Sequence, residues 1–166
     1  MRLSTKGQYA VRAMVNLACK EVDVPVSLKE ISEEEGISLS YLEQLFIKLR
    51  RGDIVKSVRG PGGGYLLSRP CSRISVGEVI TMVEEPLNPV ACLDNDSKGY
   101  PTRKECDRAE RCITQGIWKD LGDRIKGFLN SVSIEDLKKD AVVINNRIKK
   151  KKSLGTEACD VKEEAL

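Results

Sequence analysis

Between residues 27 and 67 the hydrophobic period switches from helical to strand-like, and the switches fall on glycine. Ser27 with Glu30 forms a capping box that opens a short helix carrying Leu28 and Ile31. Gly36 closes it, because glycine tolerates left-handed backbone. A second start, Ser40 with Glu43, leads the stripe Leu42, Leu45, Phe46 and Leu49, which Gly52 ends. Two short helices joined by a tight glycine-bearing turn predict a helix-turn-helix. Ile54–Val58 then alternates like a strand, Arg59-Gly60-Pro61-Gly62-Gly63-Gly64 interrupts it, and Tyr65–Leu67 resumes it. Strand, glycine-rich turn, strand predicts a β-hairpin wing. Upstream, residues 5–20 read as a helix capped by Thr5 with Gln8, with Ala10, Ala13, Met14, Leu17 and Ala18 on one face. Downstream, Ser75 with Glu78 caps a helix carrying Val76, Val79, Ile80 and Val83, which Pro86 and Pro89 end. The fold class expected is mainly α with a small β-hairpin, a winged helix-turn-helix over residues 1–85.

Residues 86–113 form a loop rich in Pro, Gly, Asp and Cys, long enough to be functional or disordered. From Thr114 to about Asn130 a long helix follows, with Ile117, Trp118, Leu121, Ile125, Phe128 and Leu129 in one stripe. That stripe is too wide for a lone surface helix, so it packs on the chain's own domain or on a second copy. Ser133 with Asp136 begins one last short helical turn. The organisation expected is a reader (1–85), a cysteine loop (86–113), a dimerisation helix (114–140) and a disordered tail (141–166), the last because the chain there is polar, with Lys149–Lys152 and an acidic end.

The net charge of +3 is mildly basic and by itself identifies no nucleic-acid partner. With 40% hydrophobic residues the chain can bury a core, yet no apolar run is long enough to span a bilayer. The start Met1-Arg2-Leu3-Ser4 lacks the apolar segment of a signal peptide. Six cysteines without a leader then point to a reducing cytoplasm rather than to a disulfide framework. No histidine is present, and no nucleophile–base pair is visible, so the chain does not read as an enzyme.

The second helix of the helix-turn-helix carries Ser38, Ser40, Tyr41, Glu43, Gln44 and Lys48 on its outer face. The N-terminal residues of such a helix reach base edges in the major groove of double-stranded DNA. Gln44 can pair with adenine in two places, and Glu43 can accept from the cytosine amino group. Arg50, Arg51 and Lys56 can neutralise phosphates. Arg59 with Gly60 at the wing tip suits a narrow minor groove. A solvated charged face with a plain hairpin turn would use the same residues, but the ordered series of helix, turn, helix and basic wing favours DNA. A phosphate-binding loop does not fit, because the glycine run lacks a Lys-Ser/Thr ending and opens no helix.

Three cysteines crowd the loop: thirteen residues separate Cys92 from Cys106, and five separate Cys106 from Cys112. Clustered thiolates are the usual ligands of iron–sulfur clusters. The spacing is not the paired pattern of a zinc ribbon. On spacing alone, a cluster, zinc and plain surface thiols all remain open. Cys19, Cys71 and Cys159 read as incidental thiols.

Longer motifs narrow the choice. Met1–Tyr9 (MRLSTKGQY), Ile37–Phe46 (ISLSYLEQLF), Ser57–Leu67 (SVRGPGGGYLL), Val76–Ile80 (VGEVI) and Trp118–Asn130 (WKDLGDRIKGFLN) resemble the IscR family of iron–sulfur cluster regulators, over nearly the whole chain to about residue 138. The resemblance implies a homodimer whose long helix dimerises and whose loop thiolates Cys92, Cys106 and Cys112 hold an iron–sulfur cluster, 2Fe–2S rather than 4Fe–4S. It implies control of cluster-assembly genes, with assembly machinery as the cluster donor, and a role for Glu43 in choosing between two classes of DNA site. Two departures stand out. An insertion around Asp94–Arg103 lengthens the gap between the first two loop cysteines, and Gln115 stands where the family has a histidine. Gln115, a loop carboxylate such as Asp94 or Asp107, or a small exogenous thiol are the choices for fourth ligand. Position 8, acidic in related nitric-oxide sensors, is Gln8 here. The alternatives are a nitric-oxide or redox sensing repressor with the same reader, a cluster-free partner-binding regulator, and a zinc-stabilised module.

Overall fold

The structure, a computed structural model, describes residues 4–20, 23–83, 87–90, 93 and 112–156. Helix α1 (Thr5–Cys19) is capped by Ser4 rather than Thr5, the Ser4 hydroxyl accepting from the Lys6 N–H at 3.1 Å. Two adjacent hydroxyl residues can each cap, and the one that leaves Thr5 helical wins. Its Ala10, Ala13, Met14, Leu17 and Ala18 are all buried, as their spacing predicts. Helix α2 (Leu28–Glu35) starts at Ser27, whose hydroxyl accepts from the Glu30 N–H at 3.2 Å, and ends at Gly36 in the left-handed region (φ 64°). The Glu30 carboxylate does not complete the box; it bonds Lys20 at 2.8 Å.

Helix α3 (Leu39–Arg51) begins one residue before the expected Ser40, with Ser38 as its cap. The Ser38 side chain makes no capping bond and stays exposed. Leu42, Leu45, Phe46 and Leu49 are buried as expected. Strands β1 (Val55–Val58) and β2 (Gly64–Leu67) pair antiparallel, with Val55 opposite Leu67 and Val58 opposite Gly64. A contact the sequence did not signal adds a third edge: Val26 bridges Tyr65, through N–H···O bonds of 3.0 and 2.8 Å. The Tyr65 ring meets Phe46 edge-on at 4.9 Å, fastening the wing to α3.

After a 3-10 turn (Cys71–Arg73), helix α4 (Val76–Met82) is capped by Ser75, whose hydroxyl accepts from the Glu78 N–H at 3.1 Å. Helix α1 packs against α2, α3 and α4, and Phe46, Met14, Ile31, Leu42, Leu49, Ile54 and Ile74 are among the largest fully buried side chains. A polar seam lines α1 up with α2. Arg12 pairs with Glu35 at 3.0 Å, Asn16 donates to Glu34 and Glu35 at 2.9 Å each, and Lys20 reaches Glu34 at 2.5 Å.

Helix α5 (Gln115–Ser131) is joined to the reader at its C-terminal end. A Cβ on Gly77 would lie 3.1 Å from the Asn130 nitrogen and collide with the Asn130 side-chain amide, so glycine eases the close approach of α4 and α5. Val76 N–H donates to Val132 O, and Ile134 N–H to Ile74 O, both at 2.9 Å. Helix α6 (Ile134–Thr156) starts at a complete capping box: the Ser133 N–H donates to Asp136 at 3.0 Å, and the Asp136 N–H to the Ser133 hydroxyl at 3.2 Å. The expected short final turn and the disordered tail from residue 141 are thereby corrected, because α6 continues to Thr156. No glycine or proline interrupts residues 134–154, and Lys, Ala, Leu and Arg are strong helix formers. Residues 157–166 lie outside the described residues.

Candidate nucleic-acid interface and thiol site

The start of α3 presents Ser38, Leu39, Ser40, Glu43 and Gln44 to solvent while its other face is locked in the core. Tyr41 is half-buried: its ring meets Tyr9 edge-on at 5.8 Å, and its hydroxyl lies 3.4 Å from that of Thr5. Tyr41 therefore ties the start of α1 to α3 as well as bordering the exposed face. Arg50 and Arg51 are exposed in the last turn of α3, Lys56 on β1, and Arg59 and Gly60 at the wing tip. Gly60 (φ 110°) and Gly62 (φ 77°) hold positive-φ backbone that other residues resist, and the Gly63 N–H closes the turn on Gly60 O at 2.9 Å. Arg12 and Arg69, also cationic, are committed to internal bonds: Arg12 to Glu35, and Arg69 to Glu78 and to the Asp53 carbonyl. The exposed polar residues thus occupy the start of α3, and the exposed cations its last turn and the wing that follows.

Of the loop cysteines only Cys112 lies among the described residues; Cys92, Cys106, Asp94 and Asp107 do not. Cys112 is half-buried in the turn that enters α5. Its sulfur lies 3.5 Å from the Thr114 hydroxyl, and its carbonyl accepts from the Gln115 N–H at 3.2 Å. Hydrogen bonds from the Thr114 hydroxyl, then the Thr114 backbone and the Gln115 backbone, hold the Cys112 thiol below its ordinary value. The positive end of the α5 dipole favours the same charge state. Gln115 is exposed on the first residue of α5, so its amide oxygen stands at the same helix end. Among the described residues no three acidic or thiol side chains gather as a metal site. The donor chemistry at this helix end, a thiolate-prone sulfur beside a neutral amide, fits one edge of a thiolate-bound cluster. Cys19 differs: partial desolvation pushes its thiol up.

Residues 87–90 pack against α5. The Asn88 amide donates to Leu93 O at 2.7 Å, and Leu87 is buried. Gly122, the buried residue of α5, leaves room for Pro89, whose Cδ would lie 3.2 Å from a Cβ there. Much of the stripe is open: Ile117 is 62% exposed and Phe128 66%, with Trp118 and Leu121 also exposed, while Ile125 and Leu129 are half-buried and Leu129 packs on the core.

An exposed recognition-helix face backed by a packed helical core and a basic β-wing is the architecture of a winged helix-turn-helix DNA-binding transcriptional regulator. A family model described as "Rrf2: Iron-dependent Transcriptional regulator" matches residues 3–140. The HTH-type transcriptional regulator IscR of Photorhabdus laumondii is 50% identical over 82% of this chain and 79% of its own length. The solved structure of T. potens IscR is 37% identical, with a TM-score of 0.65 over 85% of this chain and 88% of that one. The structure of CymR, the global cysteine regulator of B. subtilis, is 34% identical, with a TM-score of 0.64 over 84% of this chain and 97% of that one. The chain belongs to the Rrf2 family of transcriptional regulators.

Proposed function

We propose that this protein is a homodimeric DNA-binding regulator that senses iron–sulfur cluster status and controls cluster-assembly genes from the cytoplasm. The observation that carries this reading is Cys112, a thiol held toward its thiolate at the helix end that also begins the exposed apolar stripe of α5. Cys92, Cys106 and Cys112 would hold a 2Fe–2S cluster received from assembly machinery, with the Gln115 amide as the fourth ligand. When bound, the cluster supplies reversible electron and ligand exchange at thiolate-held iron. The chain's own part is to hold the Cys112 sulfur, and to pass any reordering of the 86–113 loop to α5. Ser38, Ser40, Tyr41, Glu43 and Gln44 would face bases, with Arg50, Arg59 and Gly60 on the backbone and minor groove. The α5 stripes of two copies would cover each other and set two recognition helices on a near-palindrome.

Protein purified without oxygen should show visible charge-transfer absorption with iron and sulfide, and Cys92→Ala should lose all three. Gln115→Ala should keep the colour but lose it faster in air. A colourless, iron-free wild type that still binds DNA would reject the cluster reading and leave a cluster-free regulator.

A further inference from the structure

A cavity of about 410 Å³ lies between the end of α1, the wing, the 3-10 turn and α6, far along the chain from the loop cysteines. That size falls within the range of small-molecule sites, roughly 300–1,000 Å³. Its floor is apolar, with Leu17, Val24, Leu66, Leu67 and Pro70. Four cationic residues and two acidic ones line it, but they are not equally available. Lys20 is held by Glu30 and Glu34, Arg69 by Glu78, and Glu135 reaches Lys139 at 3.4 Å. Lys56, Lys138 and Asp23 remain, and among the described residues none of the three makes an ion pair or a side-chain hydrogen bond. Asp23 is fixed at the mouth by left-handed backbone (φ 64°).

Two free ammonium groups and one free carboxylate over an apolar floor complement a particular chemistry. We propose that this cavity binds a small amino-acid zwitterion with an apolar side chain, its carboxylate toward Lys56 and Lys138 and its ammonium toward Asp23. An anion without an amino group would leave Asp23 facing it, and a simple amine would leave both lysines unmet. The site reports to the wing, because Lys56 and Leu66 are directly opposed across the β1–β2 ladder and so share its cavity face. A bound carboxylate draws Lys56 off the surface that faces phosphates. This coupling rests on the DNA-binding reading, whereas the binding site does not.

The test is calorimetric titration of the DNA-free protein with leucine, methionine and phenylalanine, each beside its deaminated acid and its decarboxylated amine. At least one amino acid should bind saturably, with its acid and amine at least about tenfold weaker. Asp23→Asn should weaken it by about tenfold or more with the fold kept, because asparagine tolerates left-handed backbone. Lys138→Gln should do the same, and Val24→Trp, which adds bulk at a half-exposed lining position, should abolish it. No saturable binding to the folded wild type, acid binding as tight as the amino acid's, or indifference to all three substitutions would overturn the proposal. With the ligand bound, operator affinity should fall and its salt dependence flatten by about one phosphate contact per protomer. Binding without that change would reject the coupling alone.

Discussion

Gly64→Ala should loosen the attachment of the wing to the segment before α2. A Cβ there would lie 2.5 Å from the Val26 carbonyl carbon and 3.0 Å from the Ser27 nitrogen, both backbone atoms that cannot swing aside. Ordinary contact lies near 3.5 Å, so β2 must withdraw from residue 26 by roughly 1 Å. That withdrawal breaks the two Val26–Tyr65 hydrogen bonds of 3.0 and 2.8 Å and disturbs the Tyr65–Phe46 edge contact. At about 1 kcal/mol per hydrogen bond and about 0.5–1 for the ring pair, the loss is about 2–3 kcal/mol. In a chain of this size that lowers the melting temperature by about 4–12 °C. Thermal and urea unfolding at fixed protein concentration should show it, with faster amide exchange at Tyr65. Gly127→Ala in α5 is the control, since a methyl group there meets nothing within 4 Å. A Gly64→Ala variant within about 0.5 kcal/mol of wild type, with Tyr65 exchange unchanged, would refute the account of how the wing is held.

Gln44→Ala should cost about 1–3 kcal/mol of affinity for the preferred operator, confined to one base position and with the salt slope unchanged; a uniform loss over all sequences would argue against base reading. Thr114→Ala removes the hydroxyl that most lowers the Cys112 thiol, so the midpoint for alkylation of Cys112 in cluster-free protein should rise toward 9.0. Mass-spectrometric labelling rates against pH measure this, and an unmoved midpoint would remove the hydroxyl from the account. Lys20 first, and then Asn16, hold the Glu34 carboxyl below its ordinary 4.5. A depressed carboxylate stabilises the fold above that pH, and the contribution disappears as pH falls through the lower folded value. Because the Glu34 side chain is 45% exposed, the effect should be a few tenths of a kcal/mol, seen as a slightly flatter acid limb in Glu34→Gln.

The reader was legible because its residues carry two signals at once. Leu42, Leu45, Phe46 and Leu49 are periodic, and Gly36 and Gly52 punctuate the pattern on either side. Helix starts were less legible where cap-competent residues neighbour one another, as at Ser4 and Thr5, or Ser38 and Ser40. The Val26–Tyr65 bridge left no trace, since a single backbone pairing has no periodicity. Gly77 against Asn130 is likewise silent in one sequence, because a close approach needs both partners known. The length of α6 is hard to read because a lysine-rich segment looks disordered by composition and helical by propensity, and its sparse apolar series, Ile134, Leu137, Ala141, Ile144 and Ile148, is diluted by Lys and Asn. The tyrosine pair Tyr9 and Tyr41 shows a further limit: a residue on the outer face of a predicted recognition helix is also a brace.

The long stripe is where sequence and structure together force a decision. If α5 packed on its own reader, Ile117, Trp118, Leu121 and Phe128 would be covered, yet all four are exposed, and the buried residue of the helix is Gly122. Apolar side chains aligned on one face of a helix mark an interaction site in a soluble protein. On the dimer proposed above, a second α5 covers it, and two-fold symmetry makes each substitution act twice. Ile117→Glu with Phe128→Glu should therefore give a monomer in sedimentation velocity at concentrations where the wild type is dimeric. The reader should survive, because Ile117 and Phe128 are exposed, whereas its links to α5 run through Leu129, Asn130, Val132 and Ile134. DNA affinity should then fall to that of a single half-site, while the Tyr65 amide keeps its protection. A double variant that stays dimeric would move the interface elsewhere, most directly to Val142 and Val143 on α6, which are also exposed. A variant that unfolds would instead show that the stripe packs against its own chain in solution.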